Sequence, residues 1–166
     1  MNFVSRIVYL EVFSVVDFTY QVIRRGDKMT QFVKLFIMSA GVFLVFDLFW
    51  LLVISKKMYQ QFIGHLMGET RMGPALIFYF LYIVGVVFFV LLPGIEKNSL
   101  STILFSGALF GLICYGTYDL TNLATLKGWP VWMTVIDLCW GTFVTASTAG
   151  IVYAINAVFF EGVSRR

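Results

Sequence analysis

The sequence predicts an all-α fold, an integral membrane bundle of four transmembrane helices preceded by an N-terminal amphipathic or interfacial helix. Three observations carry this. Of the 166 residues, 60% are hydrophobic and 13% charged, with a mean hydropathy of +0.88, whereas a soluble domain is ~45–50% apolar and ~25% charged. The apolar residues gather into runs close to the ~20 residues that a helix needs to cross the hydrocarbon core. All 12 Lys and Arg residues lie outside those runs. A chain with so little polar surface is not an intrinsically disordered segment, a secreted disulfide scaffold or a soluble enzyme.

Residues 1–30 form an N-terminal extension. Phe3 to Ile23 is apolar overall, but Glu11, Ser14, Asp17, Gln21 and Arg24 recur at three- and four-residue spacing, which draws one polar stripe along a helix. That pattern favours lying in the interface over spanning the bilayer. It lacks the basic start, apolar block and cleavage site of a signal peptide. Met29 offers an alternative natural start, with the extension upstream of it.

Residues 31–166 hold the four spans, at about 36–54, 75–92, 100–126 and 131–159. The second ends at Pro93-Gly94. The turn Lys127-Gly128-Trp129-Pro130 joins the last two as an antiparallel hairpin, Pro130 suiting a first helical turn where its missing N–H is harmless. Between the first two spans, Met58, Tyr59, Phe62, Ile63 and Leu66 interleave with polar residues at helical spacing, as in a short helix lying on the membrane surface. Eight basic residues (Arg6, Arg24, Arg25, Lys28, Lys34, Lys97, Arg165, Arg166) fall on one side and four (Lys56, Lys57, Arg71, Lys127) on the other. By the positive-inside rule both termini are cytoplasmic; a start at Met29 would level that count.

Three acidic residues stand inside spans: Asp47, Asp119 and Asp137. An ionisable side chain at bilayer depth is costly and faces a bundle interior or a water-filled cavity. Counted from Ser55, Lys127 and Pro130, each lies ~10–12 Å below the same, non-cytoplasmic face at 1.5 Å per residue, which predicts one carboxylate layer. No span holds a Lys, Arg or His to neutralise them. Desolvation and mutual repulsion prevent three clustered carboxylates from all being ionised, so they hold protons, share them through Tyr115, Tyr118, Asn122 and Thr134, or bind a cation. Thr145 joins this polar set on the ridge Asp137, Gly141, Thr145, Ala149, which packs small residues toward a matching ridge of Gly107, Gly111 and Tyr115. His65 and Trp50 are candidates for a site mouth. Asp47-Leu48-Phe49-Trp50 echoes Asp137-Leu138-Cys139-Trp140 on helices of opposite direction, as in the inverted repeats of transporters.

No metal or cofactor is expected, because His65, Cys114 and Cys139 cannot assemble a zinc or haem site. No basic run is dense enough for nucleic acid. The blocks Phe46-Asp47-Leu48-Phe49-Trp50-Leu51, Gly64-His65-Leu66, Phe80-Leu81-Tyr82, Tyr118-Asp119-Leu120-Thr121-Asn122-Leu123-Ala124-Thr125 and Asp137-Leu138-Cys139-Trp140-Gly141-Thr142 resemble an uncharacterised bacterial family of small four-helix multi-pass membrane proteins, a domain of unknown function. The resemblance runs from about Phe32 to Tyr153. It implies a bacterial cytoplasmic (inner) membrane protein and carries no activity, substrate or catalytic residue.

The first functional expectation is a protonatable carboxylate site that binds or transports a small solute, proton or cation. Four helices are few for alternating access, so transport would call for a homo-oligomer or larger membrane complex. The alternatives are an accessory or assembly subunit whose polar layer sets helix register, and a membrane enzyme acting on a lipid or isoprenoid with one aspartate as general base. No nucleophile–base pair is visible, and catalysis is left open.

Overall fold

The structure, a computed structural model, describes residues 3–69 and 71–161, with side chains from 26 to 159 except residue 66. The polar stripe from Glu11 to Arg24, and with it the choice between an interfacial and a spanning N-terminal helix, lies outside the described side chains.

Helix α1 runs Phe3–Phe49 and passes through a π-helical turn, Trp50–Ser55, into α2, Lys56–Ile63. A short turn, Gly64–Leu66, precedes α3, Met72–Gly85, which continues through a second π turn, Val86–Leu91, into α4, Leu92–Glu96. Helices α5, Leu100–Thr125, and α6, Val131–Asn156, complete the set before a last π turn, Ala157–Glu161. No strand occurs among the described residues. Packing divides the chain at Lys34. On its near side, Thr30 donates to the Gly26 carbonyl at 3.0 Å; the unit from Leu35 onward holds the core and everything that follows.

Four helical stretches are long and apolar enough to cross a membrane: Gly26–Ile63, Met72–Glu96, Leu100–Thr125 and Val131–Phe159. The expected spans fall inside or on these, with two differences. The first does not stop at Ser55: helical backbone carries on into the stretch expected to be a separate surface helix. The second does not stop at Pro93. Proline lacks an N–H and crowds the carbonyl four residues back. Here the wider π turn precedes it, with the Leu92 N–H bonded to the Val87 carbonyl five residues earlier, and the helix passes.

Tight turns join the later helices. Asn98 adopts φ 47° and Gly128 φ 79°, the left-handed region that glycine and asparagine tolerate best. Ser99 caps α5 by accepting from the Thr102 N–H at 3.2 Å.

The α5–α6 hairpin is the tightest contact. A Cβ built at Gly107 would come 3.1 Å from the Ala146 Cα, and one at Gly111 would strike the Gly141 carbonyl oxygen. The glycine ridges therefore let the two backbones meet, as the sequence predicts. Ser39, Thr134, Thr145 and Thr148 are buried while Leu52, Phe105 and Phe143 are exposed. A polar interior within an apolar exterior is the arrangement that a lipid solvent permits.

Candidate functional site

All three intramembrane aspartates point inward. Asp47 is 5% exposed, Asp119 1% and Asp137 3%. They do not form one cluster. The Asp47 carboxylate on α1 accepts from the Tyr79 hydroxyl on α3. Asp137 on α6 accepts from the Tyr59 hydroxyl on α2 at 2.9 Å on Oδ1 and 3.0 Å on Oδ2. Asp119 stands on α5, and neither of its buried oxygens has a hydrogen-bond partner.

The aromatic contacts give the heights. Trp50 stacks on Trp140 at 4.4 Å and 10°. Trp50 follows Asp47 by three residues on a helix running toward the 126–130 turn. Trp140 follows Asp137 by three on a helix running away from it. Levelling the two indoles sets Asp137 six residues of rise, about 9 Å, nearer the turn than Asp47. The edge contact of Phe46 with Phe143 at 6.2 Å has the same register. Across the hairpin, Gly107 faces Ala146 and Gly111 faces Gly141 and Thr145, which levels Asp119 with Asp137. The single layer expected from loop counting is thus corrected to two: Asp119 and Asp137 above, Asp47 below. The count for Asp47 failed because it began at Ser55, where the helix does not end.

The Asp-Leu-x-Trp echo acquires a physical meaning here. Its two tryptophans form the central stack, and on either side stands an aspartate tied to one tyrosine, Asp47 with Tyr79 and Asp137 with Tyr59.

A cavity of about 280 Å³ opens beside this stack. Asp47, Trp50 and Leu51 of the first helical stretch form one wall, and Phe78 and Tyr79 of α3 a second. Cys114, Tyr115 and Tyr118 of α5 form the third, with Tyr59 reaching in from α2. The Trp50 indole N–H is buried without a hydrogen-bond partner.

Residues 32–154 match the family described as "Predicted membrane protein (DUF2177)". The chain belongs to this family. No curated protein and no solved structure matches it. The match covers every residue of the cavity and all three aspartates of this DUF2177 protein.

Of the other expected site residues, Tyr115 and Tyr118 line the cavity, and Asn122 stands one helical turn beyond Tyr118 on α5. Thr145 bonds the Tyr82 hydroxyl at 2.5 Å and donates to the Gly141 carbonyl at 2.5 Å. Thr134 accepts from the Trp129 indole N–H at 3.1 Å and so locks the turn; no bond joins it to an aspartate. Trp50 is buried in the wall and does not stand at a mouth. His65 is exposed in the Gly64–Leu66 turn and does not line the cavity. Among the described residues, no group of three or more His, Cys, Asp or Glu is arranged to hold a metal ion.

Tyr59 and Tyr79, the donors to two of the aspartates, went unrecognised in the sequence. Tyr79 could have been found, since it is seven residues into α3 and about 10 Å below its start, the depth assigned to the carboxylates. Tyr59 could not, because it sits on a segment whose amphipathic pattern reads as a surface helix.

Proposed function

We propose that this protein is a membrane-embedded binding module for a small solute or cation, in which ligand occupancy is linked to proton occupancy of buried carboxylates. One observation carries the reading: a carboxylate, Asp47, forms part of the wall of a 280 Å³ cavity at membrane depth, among tyrosine hydroxyls and with no basic side chain in the lining. Buried ionisable groups of this kind mark ion and substrate pathways.

The upper pair supplies a proton store. Asp137 accepts from Tyr59 within reach of both oxygens, and a donor so placed favours negative charge on that carboxyl group. Asp119 has no donor and 1% exposure. An ionised group so placed would bear the full desolvation penalty, which protonation removes. On this reading the proton resides on Asp119, and Asp137 is joined to the cavity wall through Tyr59. Release of that proton changes the charge that a ligand beside Asp47 meets.

The family resemblance supports a bacterial cytoplasmic membrane, and the eight-to-four balance of basic residues supports both termini inside by the positive-inside rule. Transport, as distinct from binding, would use a homo-oligomer or a larger complex.

Infrared spectroscopy of the purified protein in bilayers tests the site without knowledge of the ligand. The expected result is a protonated-carboxyl band at neutral pH, diminished in Asp119→Asn. A spectrum without such a band, or one that all three Asp→Asn changes leave intact, refutes the proton store.

A further inference from the structure

We infer that the cavity takes the headgroup of a hydrophobic organic ammonium, which enters sideways from the bilayer through a gap flanked by Leu51, Phe78 and Tyr118. The inference rests on the carboxylate-site reading above and names its ligand class and route.

The chemistry of the wall selects the class. Asp47 shares the cavity lining with Trp50, Tyr59, Tyr79 and Tyr115. Aromatic faces attract a cation through their quadrupole, most strongly where water is excluded. A carboxylate at one end of such a lining completes the recognition of an ammonium, whose alkyl groups need no hydrogen-bond partners. A bare metal ion fits poorly, because the described residues offer no cluster of metal-ligating side chains. An anion would meet Asp47 with no basic residue in the lining to oppose it.

The position of the gap selects the route. Leu51 is 36% exposed, Phe78 49% and Tyr118 58%, and all three belong to the lining. Phe78 is six residues into α3 and Tyr118 seven residues from the end of α5, so both lie about 9–11 Å from those helix ends, within the hydrocarbon. The other aromatic members of the lining are less open: Tyr59 is tied to Asp137 and Trp50 is buried. Size agrees. A volume of 280 Å³ is that of about nine water molecules in the liquid, enough for a trimethylammonium group and a few methylenes. A longer tail has to leave through the gap, where lipid receives it.

Equilibrium dialysis against nanodiscs carrying the full chain tests this, with empty nanodiscs giving the partition of each probe. The probes are tetramethylammonium, hexyltrimethylammonium, decyltrimethylammonium and the uncharged carbon isostere of the hexyl compound. The expected result is saturable binding of the hexyl and decyl cations with closely similar affinities once partition is removed, both at least about tenfold tighter than tetramethylammonium. Asp47→Asn should weaken both about tenfold or more, and Asp47→Glu should retain binding within about threefold, which separates lost charge from lost fold. Cys114→Phe, which fills the cavity and keeps the carboxylate, should abolish binding. Tetramethylammonium binding as tightly as the hexyl cation overturns the lateral route. Equal binding of the uncharged isostere, insensitive to Asp47→Asn, overturns the cation. If no probe saturates, the inference fails; a persisting carboxyl band would then leave the carboxylate site standing, and its absence would remove both.

Discussion

The strength of the bond between Tyr59 and Asp137 reports whether Asp137 is ionised, and it can be worked out beforehand. The hydroxyl sits 2.9 Å from Oδ1 and 3.0 Å from Oδ2. One O–H has one proton, so these contacts are a single shared bond. A hydrogen bond to a charged group is worth about 1.5–3 kcal/mol, whereas neutral interhelical bonds in membrane proteins average about 0.6 kcal/mol in double-mutant cycles. An ionised Asp137 therefore predicts a coupling of about 2 kcal/mol, roughly a 30-fold effect on the unfolding constant at 1.4 kcal/mol per decade. The cycle compares wild type, Tyr59→Phe, Asp137→Ala and the double variant by detergent-driven unfolding in mixed micelles. Taking the interaction as a difference cancels the cavity that Asp137→Ala leaves behind. A coupling near or below about 0.6 kcal/mol would mean a neutral carboxyl group, and the one-proton account of Asp119 and Asp137 would be wrong.

Asp119→Leu removes a carboxyl group that has no partner, so the stability of the protein should hold or rise by about 1 kcal/mol while its protonated-carboxyl signal falls; destabilisation by more than that would reveal a partner for Asp119. In the hairpin, Gly111→Ala drives a Cβ onto a backbone carbonyl and should cost about 1–3 kcal/mol or more. Gly116→Ala meets only Leu120 at 3.7 Å and should be neutral or stabilising, since alanine gains up to about 1 kcal/mol over glycine in a helix; thermal unfolding that ranks the two alike would contradict the close approach of α5 and α6. His65→Ala should leave binding of any cavity ligand unchanged, and a loss beyond about threefold would place His65 at the site after all.

How much could be read beforehand follows from the range of the forces involved. The four spans were legible because a lipid solvent acts on each residue separately: apolar length alone decides what crosses. The inward orientation of Asp47, Asp119 and Asp137 was legible for the same reason, since the penalty for charge in lipid does not depend on which neighbour receives it. The small ridges on α5 and α6 were legible from spacing, and the structure sets Gly111 against Gly141 and Gly107 against Ala146, as that spacing requires.

Partnership was a different matter. Which tyrosine meets which aspartate depends on axial register between helices far apart in the chain. That register is set by contacts such as the Trp50–Trp140 stack, which have no local signature. The π turns compound the difficulty. One added residue rotates every later face of a helix by about 100°, so the turn at Trp50–Ser55 alters where Tyr59 points without altering its hydropathy. Composition and hydropathy were sufficient for a four-span bundle with acids in its interior, because solvation is a property of single residues. The separation of those acids into two levels, their tyrosine donors and the cavity came from packing, because a contact is a property of pairs.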